Sequence, residues 1–96
     1  MDVVDLLARH RPEILRLAEA HGARNVRLFG SAARGEAGDE SDIDVLVTME
    51  PGRSLLDLVG LSQDLEQLLG RQVDVVSDRG LSPYLRDHIL AEARAL

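Results

Sequence analysis

The sequence has no cysteine and no tryptophan. That excludes a disulfide scaffold, a thiolate-ligated zinc and a thiol nucleophile, and it suits a reducing compartment. Aromatic residues are 2% of the chain, Phe29 and Tyr84 alone, too few to build a base-stacking platform. Cations are also short. Eleven Lys+Arg face seventeen Asp+Glu, and the formal charge of −6 runs against direct nucleic-acid binding, which draws its affinity from neutralised phosphates. No apolar run approaches the roughly eighteen residues of a membrane span. The opening Met1-Asp2-Val3-Val4-Asp5 is acidic where a signal peptide would be basic. The expectation is a soluble, cytoplasmic protein without direct nucleic-acid or membrane contact.

What is present is ordinary globular composition, 45% hydrophobic and 29% charged over 96 residues. With no repeat, linker or low-complexity tract, residues 1–96 read as a single small domain. Residues 2–21 carry Leu6, Leu7, Ile14, Leu15 and Ala18 at helical spacing, broken near Pro12 and stopped by Gly22. Val26–Phe29 predicts a short strand, Gly30-Ser31 a sharp turn into about one helical turn, and 36–41 a polar loop. Ile43–Thr48 predicts the strongest strand. Ser54 and Asp57 suit a capping box for a leucine-rich helix ended by Gly70. Val73–Val76 predicts a third strand, and Ser82-Pro83 opens a last helix to about Ala95. The fold class is α/β, a small mixed sheet of three or more strands flanked by helices. The 54–69 helix makes strands two and three parallel, whereas the short link between one and two makes them antiparallel. That topology gathers Gly30-Ser31, Asp42, Asp44 and Asp74.

Asp42 and Asp44 stand two apart on a strand, so both carboxylates leave one face about 7 Å apart while Ile43 and Val45 turn to the core. Like charges so close call for a cation, and oxygen ligands select Mg²⁺ or Mn²⁺ over zinc. Gly30 admits a close backbone approach, Ser31 offers a hydroxyl, and the amides that follow favour an anion. A carboxylate pair facing an anion-binding turn suits a metal–triphosphate substrate, with Asp74 as a third carboxylate from the next strand. An Asp-x-Asp alone arises by chance in about one chain in four of this length; the joint spacing of the two motifs is what carries the reading.

Gly30-Ser31, ten residues, then Asp42-Ile43-Asp44 resembles the signature of the DNA polymerase beta-like nucleotidyltransferase superfamily. The fuller runs from Phe29 to Glu36 and from Ser41 to Val47 resemble its smallest branch, the minimal nucleotidyltransferases, antitoxin partners of HEPN-domain toxins. Val73-Asp74-Val75-Val76 resembles the branch's third-carboxylate strand, and Leu85–Leu96 its final helix. The resemblance implies a polymerase beta-like fold, with Gly30 and Ser31 on the β/γ-phosphates of ATP. It further implies Asp42 and Asp44 as ligands of two Mg²⁺ ions, for which Mn²⁺ can substitute, and Asp74 completing the catalytic one. An acceptor hydroxyl would then attack the α-phosphate and expel pyrophosphate.

The activity so implied is transfer of AMP to a hydroxyl of a cognate HEPN toxin, in a hetero-oligomer with that partner. Two rivals keep the fold: an antitoxin that neutralises by binding alone, and a small-molecule nucleotidyltransferase, for which the chain lacks a substrate domain. Arg34 has two readings, a phosphate contact or an ion pair with Glu36 or another local acid. Ser41 reads as a brace for strand two, Asp39 and Glu40 as solvated loop, and His10, His21 and His88 as helix-surface or helix-end residues. Tyr84 reads as a packing residue near a helix start.

Overall fold

A computed structural model describes residues 3–34 and 42–96. The predicted loop with Glu36, Asp39, Glu40 and Ser41 lies outside the described residues. The order is α1 (Val3–Arg9), α2 (Arg11–Ala20), β1 (Ala23–Phe29), α3 (Gly30–Arg34), β2 (Ile43–Met49), α4 (Leu55–Leu69) and β3 (Val73–Ser77). A 3₁₀ turn (Asp78–Gly80), α5 (Pro83–Glu92) and β4 (Arg94–Ala95) complete it. The four strands lie in the order β3-β2-β1-β4. As the connection lengths require, β1 and β2 are antiparallel and β2 and β3 parallel.

Local chemistry accounts for the boundaries. The first helical stretch splits at His10, and Pro12 falls in the first turn of α2, where its missing N–H has no intrahelical partner to lose. His10 places Nδ1 2.9 Å from Glu13 across that joint. The Ser54 N–H donates to the Asp57 carboxylate at 2.9 Å, the reciprocal half of a capping box. Gly70 ends α4 in the left-handed region at φ 68°.

β2 is the central spine. Ile43, Val45 and Val47 are buried in a cluster with Ile14 and Ala18 of α2 and Leu61, Leu65 and Leu69 of α4. Alternation sends Asp44, Leu46 and Thr48 to the opposite face, where Leu46 is fully buried. One face of the sheet thus carries the core, and the other presents Asp44 at one end and Thr48 at the other.

Three expectations need correction. The last helix stops at Glu92, not near Ala95: Ala93 turns extended, and Arg94–Ala95 pair with β1 instead. The backbone groups of this tail then have sheet partners, including a bond from Leu96 N–H to the Val26 carbonyl. β1 begins at Ala23, three residues early, because its first residues pair with Met49 and Thr48 across an irregularity at Asn25, whose φ is +52°. Tyr84 is 94% exposed and is no packing residue. The helix it opens has no buried residue, and among the described residues nothing covers that ring.

Candidate active site

Sheet register brings the sequence-selected residues together. Phe29 of β1 stands opposite Asp44, and Asp44 stands opposite Asp74 of β3. The two aspartates are therefore direct neighbours on adjacent strands, with Cα atoms about 5 Å apart. Asp42 lies immediately before β2 and is exposed, as is Asp74, while Asp44 is half-buried between them.

Gly30 follows Phe29 at φ +68°, in the left-handed region that disfavours a side chain. A Cβ at this position would stand 2.5 Å from Asp44 Oδ2. Glycine is required twice over, by backbone conformation and by space. The turn into α3, which carries Ser31, packs directly on the central carboxylate.

The electrostatics follow. Burial raises the Asp44 carboxyl above its ordinary value, and the charges of Asp74 and then Asp42 push it further the same way, with Arg34 partly opposing. The charge that repels Asp44 thus comes from the two other carboxylates that the sequence pattern selects. Oxygen-only donors under mutual repulsion fit a hard divalent cation. Among the described residues no three His, Asp or Glu side chains gather closely enough to hold an ion by themselves.

Glu36 lies outside the described residues, and Arg34 makes an ion pair that sequence reasoning did not name. Its guanidinium donates to Glu92 at the end of α5, 3.1 Å away, an acid 58 residues distant and therefore not local. Arg34 remains close enough to Asp44 to act on its carboxyl. Sequence reasoning passed over Glu92, and no spacing rule links residues joined only by the packing of α5 on α3. The three histidines are accounted for structurally. His21, at the α2 C-cap, places Nε2 2.7 Å from Asp64 of α4, His10 joins α1 to α2, and His88 faces Glu92 one turn on.

Further along the same sheet face lies a cluster that no motif announces. Thr48 Oγ1 donates to Asp78 Oδ2 at 2.7 Å, and Arg27 Nη2 donates to Thr48 Oγ1 at 3.2 Å and to Asp78 Oδ2 at 3.4 Å. Asp78 Oδ1 is buried without a partner among the described residues. Burial alone would raise the Asp78 carboxyl. The bonds from Thr48 and Arg27, with the Arg27 charge and the Arg79 N–H, outweigh it and hold the group below its ordinary value.

Comparison with known proteins places the chain in a family. The nucleotidyltransferase domain family matches residues 7–96. A Methanocaldococcus jannaschii protein provisionally named a protein adenylyltransferase is 46% identical over 81 residues, covering 84% of this chain and 87% of its own. The protein adenylyltransferase MntA of Thermococcus cleftensis is 38% identical over 91 residues, with coverages of 95% and 89%. A solved structure provisionally identified as a minimal nucleotidyltransferase superposes with a TM-score of 0.87 at 54% identity, covering 100% of this chain and 97% of that one. A toxin–antitoxin crystal structure with AMP-PNP superposes at 0.76 with 26% identity, covering 88% and 69%. With the family matched across nearly all of its length, the chain belongs to the nucleotidyltransferase domain family, in its minimal branch, and is a nucleotidyltransferase.

Proposed function

We propose that this nucleotidyltransferase moves AMP from ATP to a hydroxyl of a partner protein, and that the partner is a HEPN-domain toxin which it neutralises as antitoxin. The observation that carries the reading is the packing of Gly30 on Asp44 with Asp74 alongside in register. A glycine turn and repelling carboxylates meet at one spot. The names of relatives support the acceptor class, since two are protein adenylyltransferases by name, one of them provisionally. The AMP-PNP in a structural neighbour supports the donor.

In this reading Gly30 and Ser31 hold the β- and γ-phosphates, which need backbone N–H groups and a hydroxyl close at hand. Asp42 and Asp44 hold divalent metal, Mg²⁺ by preference, and Asp74 joins them from β3. Bound metal would supply charge neutralisation for the triphosphate and the leaving pyrophosphate. Asp74 faces the acceptor, orients its hydroxyl and stands where the proton is released. Arg34, restrained by Glu92, adds positive charge beside the phosphates. Positioning and charge supply the rate, as in other phosphoryl and nucleotidyl transfers.

The test is incubation of the protein with α-labelled ATP, Mg²⁺ and a purified HEPN-domain protein as acceptor. Label should move to that partner, and an Asp42→Ala/Asp44→Ala double variant should not transfer it. No transfer by the wild type, or equal transfer by the double variant, contradicts the reading. Full neutralisation by the double variant at a one-to-one ratio would assign the antitoxin effect to binding instead.

A further inference from the structure

We propose that the open edge of β3 is the acceptor-docking surface, and that it takes an extended, hydroxyl-bearing segment of the partner as an added strand. The inference rests on the transferase reading above and specifies where its second substrate lies.

Direction comes first. In-line displacement places the attacking hydroxyl opposite the leaving pyrophosphate. Gly30 and Ser31 follow β1, the central carboxylate is on β2, and the third is on β3. With pyrophosphate leaving on the β1 side, the nucleophile enters from the β3 side. Beyond β3 lies a cleft of about 600 Å³, lined by Asp44 and Asp74 at its inner end and by Leu55, Val59 and Glu66 of α4 along its flank. The cleft is thus continuous with the carboxylates, and what fills it lies against the reacting atoms.

The backbone of β3 fixes the occupant's form. β3 ends the sheet, with no strand beyond it among the described residues. The Gln72 carbonyl accepts from Ile43 N–H and so points inward to β2, while the Val73 carbonyl points outward and accepts from Ser62 Oγ. Alternation then turns the N–H and C=O of Val75 outward, into the cleft. An unpaired donor and acceptor on a proline-free edge are what strand addition uses. Leu55 is 73% exposed and Val59 47%, giving apolar side chains of the segment a surface to cover. The cleft's charged residues are all acidic, Asp44, Asp74 and Glu66. The segment therefore carries basic residues around its hydroxyl.

The probes are nonapeptides of alternating Val and Arg centred on Ser, Thr or Tyr, each prepared unmodified and with alternate backbone amides N-methylated. In the ¹⁵N-labelled wild type, at least one unmodified peptide at millimolar concentration should slow exchange of the Val75 amide at least tenfold, and its N-methylated form should not. Val75→Pro removes the outward N–H without taking a ladder bond from β2, and it should weaken binding at least tenfold relative to Val75→Ala, which keeps that N–H. Should Val75→Pro not fold, Leu55→Ser on the exposed flank, which removes apolar surface without adding charge, carries the test, with an expected loss of at least fivefold. No protection of Val75 by any peptide, equal binding of the N-methylated forms, or unchanged binding by the variants overturns the proposal. Transfer of label from ATP is scored separately. Label transfer without Val75 protection sinks the docking surface and leaves the transferase reading standing. Protection without transfer does the reverse.

Discussion

Asp44 and Asp78 lie toward opposite ends of one sheet face and experience opposite electrostatics. Asp78 is satisfied from within, by the hydroxyl of Thr48 and the guanidinium of Arg27, and its carboxyl is held low. Asp44 is half-buried beside Asp74 and Asp42, and its carboxyl is pushed up. The first arrangement contributes to the fold, because a half-buried carboxylate with charge-assisted bonds joins β1, β2 and the turn after β3. The second detracts from the fold and is relieved when positive charge arrives. The contrast separates an acid satisfied by the fold, Asp78, from one left under repulsion, Asp44.

The largest break in that contrast is chemical. Asp42→Ala/Asp44→Ala should lower nucleotide transfer by roughly a thousandfold or more, on the order of 4 kcal/mol of transition-state stabilisation, while circular dichroism stays near wild type and Tm does not fall. Loss of fold along with activity would show that these acids also hold the sheet together.

Next is Gly30→Ala. A side chain at φ +68° costs about 1–2 kcal/mol, and its Cβ displaces Asp44 Oδ2 as well. Stability should fall by about that amount in denaturant titration, and transfer should drop more than tenfold because turn and carboxylate shift together. A stable, fully active variant would remove the steric link between them.

Asp78→Asn comes third, with an expected loss of about 1–3 kcal/mol at neutral pH and no direct effect on transfer. The folded carboxyl of Asp78 titrates below its unfolded value. Its contribution is therefore complete above the unfolded value and lost as pH falls through the folded one. The variant should show a flatter stability profile in that acid range, read by urea titrations at successive pH values.

Much of this was legible in the chain before its fold. The spacing from Gly30-Ser31 to Asp42-Ile43-Asp44 reports the site because each motif sits at a strand end, and strand pairing then fixes the distance between them. The helix over 54–69 was equally plain, with Ser54, Asp57 and Gly70 marking its limits. β4 was hidden because two residues have no periodicity to detect, and it exists only through its pairing with β1. The Arg34–Glu92 and Arg27–Thr48–Asp78 contacts were hidden for a related reason. Each joins residues brought together by tertiary packing, and neither alters a local pattern.

The smallest predicted effect is the most direct test. Asp44 titrates above its unfolded value in the folded chain. Its contribution to stability is thus fully present below the unfolded value and lost as pH rises through the folded one, leaving an ionised, repelled carboxylate at neutral pH. Thermal unfolding at pH 7.5 should find Asp44→Asn more stable than wild type by about 2–4 °C without ligand, roughly 0.5 kcal/mol. Adding Mg²⁺ and a non-hydrolysable ATP analogue should raise the wild-type Tm and abolish or reverse that difference. A variant no more stable than wild type without ligand, or one that responds to the metal–nucleotide as strongly as wild type, would contradict the claim that these carboxylates are strained toward a cationic substrate.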